Sequence, residues 1–394
     1  MAGLWSDQAR EVHCFETNRS YGPAQPARRA RSFSASRRNA ARASTVELAR
    51  NEETALAASV SQVPTQDELP GTLREIIPAL LTSLQEHDLF IVAKDGPAAV
   101  AIAVALAGGA PDATIALCPG SDAMPGDSAP PSPSNVGQRT SALRRVRAAL
   151  TSEDRTRVAL VTTGEATARL YPPPEQFDAA PPVVRIGQEL DLEDFSETLA
   201  GIGYVPDDRV DEPGEMAMRG QVLDIFPADR PAPYRIEIHD GRIDSIRSYD
   251  AATQLGLEEC ETLELGRAAE PEASRPVTLM EHLPEALLVL EAGADKRRRR
   301  FLALASDALA KRAERAARDV CPEEVWQARI AEHPPLYAAP AAEPPPRFIE
   351  QRSPLRAFRK AALAAIEAGR RIVLLGTVRD LRFLARRVQR TLNR

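Results

Sequence analysis

Chemistry on nucleotide phosphates needs lysine in particular places, and the sequence offers only four: Lys94, Lys296, Lys311 and Lys360. A phosphate-binding P-loop reads G-x-x-x-x-G-K-[ST], its lysine reaching the β and γ phosphates and its hydroxyl holding magnesium. Here the lysines are followed by Asp95, Arg297, Arg312 and Ala361, and none follows a glycine. The chain is therefore expected to lack an intact Walker A loop and to carry no catalytic site of its own. A kinase-type glycine loop, a G-x-S-x-G elbow and H-E-x-x-H are missing too. The five histidines (His13, His87, His239, His282, His333) show no close metal-pair spacing, and Cys14, Cys118, Cys260 and Cys321 lie far apart without C-x-x-C. Neither a metal nor another cofactor is expected, and the cysteine pattern suits a reducing cytoplasm.

Arginine is the abundant cation. Of 50 basic residues in 394, 46 are arginine, and they are unevenly placed. Residues 1–44 hold eight arginines and three acids, a net +5 within a chain of −6, so the remainder carries −11. Duplex affinity rests largely on neutralising phosphates, so an acidic body suits protein partners better than DNA. Two arginine runs could still touch a backbone, 28–42 and Arg297 to Arg300; the second reads as a solvated helix face. With 43% hydrophobic residues and no apolar run near the roughly 20 needed to span a bilayer, neither a membrane span nor a membrane partner is expected.

The elements that would position these residues alternate. Residues 1–66 read as a basic, disordered tail. From 67 onward an amphipathic helix (apolar Leu73, Ile76, Leu80, Leu84) precedes the strand LFIVA (89–93). A small-residue helix over 96–109, the strand TIALCPG (114–120), a Pro/Ser/Asp loop, a helix over 138–150 and the strand RVALVTTG (157–164) follow. Strand–helix alternation predicts an α/β domain with a mostly parallel sheet. The turn after LFIVA, where such a domain would carry its phosphate loop, puts Asp95 where a hydroxyl would be needed. From about 181 the pattern changes to antiparallel: YRIEIHD and IDSIRSYD flank Asp240–Gly241, a strong hairpin signal. Period two places Tyr234, Ile236 and Ile238 on one face and Arg235, Glu237 and His239 on the other. From 268 the α/β texture returns, with a strand at 287–292, a long helix at 296–319, a proline-rich loop at 332–347, then helix (355–369), strand (371–376) and helix (378–392).

The stretch EPGEMAMRGQVLDIFPADRPAPYRIEIHDGRIDSIRSYDAATQ (212–254) goes beyond periodicity. It resembles the small second domain shared by the bacterial excision-repair protein UvrB and the transcription-repair coupling factor. The family pattern is carried by Gly214-Glu215, Arg219-Gly220, Asp224-Ile225-Phe226-Pro227, Tyr234-Arg235 and Ile243-Asp244-Ser245-Ile246-Arg247. The flank PGSDAMPGDSAPPSPSNVGQRTSAL (119–143) is similar to the coupling factor's loop and following helix, and only six scattered tyrosines stand against the tyrosine-rich hairpin of UvrB.

The resemblance spans about 67–394 and implies a degenerate RecA-like domain in two halves (67–180 and 268–394) around an inserted α+β domain (181–267). That inserted domain would dock the damage-scanning protein UvrA through Arg219 and Arg235, with His239 at a position that is aromatic in the family. The chain would then be a non-catalytic, cytoplasmic adaptor of transcription-coupled excision repair, reaching DNA through UvrA and making no contact with RNA polymerase. In the family a polymerase-binding domain, a two-lobed translocase motor and a domain that masks the docking face follow such a module. The sequence ends at Arg394, so the docking face is expected to stand open. Two alternatives remain: the amino-terminal fragment of an ATP-dependent DNA translocase, and a decayed remnant with weak DNA binding.

Overall fold

A computed structural model describes residues 71–125, 129–273, 275–311, 319–337 and 347–369, and beyond these only 372, 374, 384, 387, 388 and 390–392. The expected basic tail and most of the strand at 371–376 and of the last helix lie outside the described residues. The chain falls into two compact units, which place Glu75–Ala341 apart from Ala342–Arg394.

The first unit opens with helix α1 (Gly71–Glu86), which buries Ile76, Ile77, Leu80 and Leu84 along one face, at the helical spacing of three and four. Strand β1 (Leu89–Ala93) is buried along its whole length and leads into α2 (Gly96–Gly109). Strand β2 (Thr114–Leu117) follows, then α3 (Pro133–Thr151), β3 (Val158–Thr163) and the single-turn α4 (Gly164–Thr167). Helix α3 starts where Ser132 accepts the Asn135 N–H and Pro133 occupies the first turn, which does not need the N–H that proline lacks.

After the two-residue β4 (Leu170–Tyr171), the chain builds the smaller sheets. These comprise β5 (Val183–Arg185), α5 (Leu192–Gly201), β6 (Val205–Pro206), β7 (Glu215–Arg219) and β8 (Val222–Ile225). They continue with β9 (Tyr234–His239), β10 (Arg242–Tyr249), β11 (Gly256–Glu259) and β12 (Thr262–Glu264). Six strands run in the order β11-β10-β9-β8-β7-β6, antiparallel except for the short β6–β7 pair, while β5 pairs with β12. Asp240 (φ 49°) and Gly241 (φ 73°) are both left-handed, which makes the β9–β10 connection the two-residue turn that the sequence predicted. Period two is realised: Tyr234, Ile236 and Ile238 are buried with Leu223, Ile225, Ile243, Ile246, Leu199 and Tyr204.

The chain then returns to the parallel sheet through β13 (Val277–Thr278), which pairs with β4, and through β14 (Leu287–Leu290). Helix α6 (Ala294–Lys311), α7 (Glu323–Glu332) and β15 (Leu336–Tyr337) complete the unit. The five-stranded sheet has the order β15-β14-β1-β3-β2, every pair parallel. Its core gathers Phe90, Val92, Leu143, Val146, Leu160, Leu288, Leu290 and Trp326. The α/β class with an added small α+β part is thus what the chain adopts. One expectation needs correcting: within the proline-rich 332–347 stretch, Leu336–Tyr337 forms a strand beside β14. Pro334–Pro335 precede a two-rung edge strand, too short to show a period, at the kind of edge that tolerates proline.

Helix α3 is where the small α+β part is tied to the parallel-sheet part of this unit. A Cβ at Gly137 would lie 2.5 Å from the Ala228 backbone carbon, so helix and small-sheet loop touch backbone to backbone. Arg139 pairs with Glu270, and Arg144 with Glu264. In the second unit α8 (Pro354–Glu367) buries Ala362, with Val388 and Leu392 in the same small cluster.

Candidate protein-docking face

The outward face of the six-stranded sheet collects the polar half of each strand. Cross-strand register sets one row as Ala217, Asp224, Arg235 and Arg247, and the next as Arg219, Val222, Glu237 and Ser245. His239 lies one row further, beside the hairpin turn. The three residues singled out from the sequence therefore occupy successive rows of one face.

Their surroundings differ. Arg235 donates from Nε to Asp224 Oδ1 at 2.7 Å and from Nη2 to Asp224 Oδ2 at 2.8 Å, a bidentate pair. Its guanidinium carbon stands 5.0 Å from the centre of the Tyr249 ring, within cation–π range. The hydrogen bonds it donates to Asp224 hold the Arg235 guanidinium above its ordinary pKa, and burial pushes the Tyr249 phenol up. Arg219 is exposed and donates to the Asp208 carbonyl. His239 is 82% exposed, with Nε2 3.6 Å from the Asp240 carboxylate. Beside them Arg247 pairs with Glu237, whose other oxygen accepts from Ser245 Oγ at 2.8 Å.

Part of the face is covered by the chain's own loop. The loop 207–213 crosses one end of it: Val210 is buried with Ala217 and Phe226, and Arg209 donates to the Ala251 carbonyl at 2.9 Å. Asp224 stood in the sequence motif without a role, and Tyr249 and Arg247 were not assigned one. Their signal was cross-strand register, which a bulge at Asp244 shifts by one residue.

The carboxyl end of the parallel sheet accounts for Asp95. Its carboxylate caps α2 by accepting the Ala98 N–H at 2.9 Å, taking a donor that would otherwise face an anion. Glu291, buried, accepts the Lys94 backbone N–H at 2.9 Å and lies 3.6 Å from its ammonium. Two carboxylates thus stand at the carboxyl end of β1, each engaged by the chain's own N–H groups. Among the described residues no group of three or more His, Cys, Asp or Glu could hold a metal ion. Cys118 and Cys321 are both buried, and burial pushes the Cys118 thiol up to about 12 and raises that of Cys321 as well.

The arginine run 297–300 is a solvated face at Arg297, Arg299 and Arg300, and departs from that reading at Arg298. Arg297 pairs with Glu165 and Arg299 with Asp295, while Arg298 is completely buried, paired with Glu323 and stacked 4.8 Å from the Trp326 ring. The cause is Gly164: its missing side chain lets the first turn of α6 close onto α4, which carries Arg298 inside. Three of the four charges face carboxylates of the chain, two of them in exposed pairs. The other run, 28–42, lies outside the described residues.

Residues 183–270, which contain this sheet, match the UvrB interaction domain family. The longer similarity is to transcription-repair coupling factors. The Bacillus subtilis (strain 168) protein of that name is 27% identical over 202 residues, 51% of this chain and 17% of the relative. Those of Staphylococcus aureus strains MSSA476 and bovine RF122 are 33% identical over 115 residues and 35% over 104. These cover 29% and 26% of this chain, and 10% and 9% of the relatives. The matches therefore span less than a fifth of those relatives' length, and they support a module of the coupling-factor type. No helix among the described residues is long and apolar enough to cross a membrane.

Proposed function

We propose that this chain is an adaptor that docks UvrA through the outward face of its six-stranded sheet, with Arg219 and Arg235 as principal contacts and His239 at the margin. The observation that carries the reading is Arg235, fixed in a bidentate pair on a polar face inside a segment that matches the UvrB interaction domain. Arginine forks suit carboxylate partners and are enriched among residues that dominate interfaces. On this reading 181–267 is the docking domain, set between 67–180 and 268–394, and the setting is cytoplasmic excision repair with DNA reached through UvrA. The similarity to coupling factors favours a second, compatible reading, in which such a module serves a longer DNA translocase.

Titration calorimetry against UvrA from the same organism tests the proposal. Saturable binding is expected, weakened by about 2 kcal/mol or more in Arg219→Ala/Arg235→Ala. Arg219→Ala is the cleaner single variant, since Arg235→Ala also strands the buried Asp224 carboxylate. A folded wild type that does not bind UvrA would sink the reading.

A further inference from the structure

We propose that Asp224 is a positioning residue for docking: it holds Arg235 by one side of its guanidinium and leaves the other edge for a carboxylate of the partner protein. This rests on the docking face described above and names how one of its contacts works. A guanidinium has five N–H donors in a rigid fork. Asp224 takes Nε and one N–H of Nη2. That leaves the Nη1–Nη2 edge, which suits one further carboxylate bound end-on. The Asp224 side chain is 7% exposed against 27% for Arg235, so a partner reaches the arginine and not the aspartate. Asp224 is itself fixed by the ladder, opposite Ala217 on one side and Arg235 on the other. The buried Tyr249 ring supplies a floor. An arginine held this way has lost its rotamer freedom on folding and loses little more on docking.

Charge and position make opposite predictions, which is what permits a test. The Asp224–Arg235 pair is neutral overall. If Arg235 served only as a positive charge, Asp224→Asn would leave the face more positive and tighten binding to an acidic partner. If Asp224 positions Arg235, the same change weakens binding although it removes repulsion.

The experiment titrates UvrA against the full chain as wild type, Asp224→Asn, Arg235→Ala, the double variant, and Arg235→Lys, with thermal midpoints measured alongside. The expected results are a Kd at least about tenfold weaker in Asp224→Asn, and no added loss when that change is placed on Arg235→Ala. Arg235→Lys, which keeps the charge without the fork, is expected to lose as much as Arg235→Ala. Wild-type or tighter affinity in a folded Asp224→Asn would overturn the proposal. Should Asp224→Asn fail to fold, wild-type affinity in Arg235→Lys would overturn it instead. Should the wild type not bind UvrA, the docking reading fails separately, and side-chain NMR decides the positioning. A solvent-protected Arg235 Nε–H resonance that Asp224→Asn abolishes upholds it, and an unprotected wild-type resonance refutes it.

Discussion

Truncating Glu270 to alanine is expected to cost about 3 kcal/mol of folding free energy, because it strands a buried cation without the Glu270 acceptor. The Arg139 side chain is 2% exposed on α3, between the parallel sheet and the small sheet. Its Nε donates to Glu270 Oε1 at 2.9 Å, Nη2 reaches the same oxygen, and Nη1 reaches Asn135 Oδ1. Burial works against the charge, and the nearby Glu270 carboxylate offsets this, so the guanidinium sits above its ordinary pKa. Breaking a buried pair by removing one partner costs about 3–5 kcal/mol. Glu270 is 35% exposed, so water can enter where it was, which sets the expectation at the low end. Glu270→Gln keeps an acceptor oxygen and should lose only about 1–2 kcal/mol. Arg139→Met/Glu270→Leu removes both charges and should be more stable than Glu270→Ala alone. Urea unfolding followed by far-UV circular dichroism reads all three against wild type, at constant m. A loss below about 1 kcal/mol in Glu270→Ala, or a double variant less stable than it, would refute the reasoning.

Other expectations follow from single sites. His282 is buried against Phe177 and Tyr171, and its Nε2–H donates to the Pro172 carbonyl at 3.0 Å. Burial lowers its pKa to about 4, so the unfolded chain binds the proton more readily. Stability from this group is present above about pH 6.5 and falls as pH drops toward 4, by about 3 kcal/mol in all. Urea midpoints across pH 4–7 should show that slope, and His282→Phe should flatten it. Gly137→Ala drives a methyl into the Ala228 backbone and should cost about 1–3 kcal/mol in the same unfolding assay. Gly241→Ala meets open space but a φ of +73°, and should cost about 1–2 kcal/mol from backbone strain alone. Equal stability of Gly241→Ala and wild type would contradict the left-handed turn.

Much of this architecture was legible because its signals are local. LFIVA and VALVTT read as buried strands by composition, and Asp240–Gly241 announced its turn because left-handed backbone strongly favours such residues. The polar face of β9 followed from alternation. What did not follow was register across strands. Counting back from the turn would set Arg235 opposite Ile246 and turn that isoleucine outward. The bulge at Asp244 instead brings Ile243 and Ile246, three apart, to the same core and places Arg247 opposite Arg235. The three-residue spacing of two isoleucines in one strand was the available hint. The Asp224 clamp was illegible for the same reason, since eleven residues of sequence separate it from Arg235. Burial of Arg298 depended on the close approach at Gly164, 134 positions earlier, and no local pattern reports that.

Hydrogen exchange on the chain with and without UvrA tests the docking account most directly. The account predicts protection confined to β7 through β10, strongest around Arg219 and Arg235, with the five-stranded sheet unchanged and the footprint lost in Arg219→Ala/Arg235→Ala. Protection that instead maps to the parallel sheet, or survives unaltered in the double variant, would contradict it.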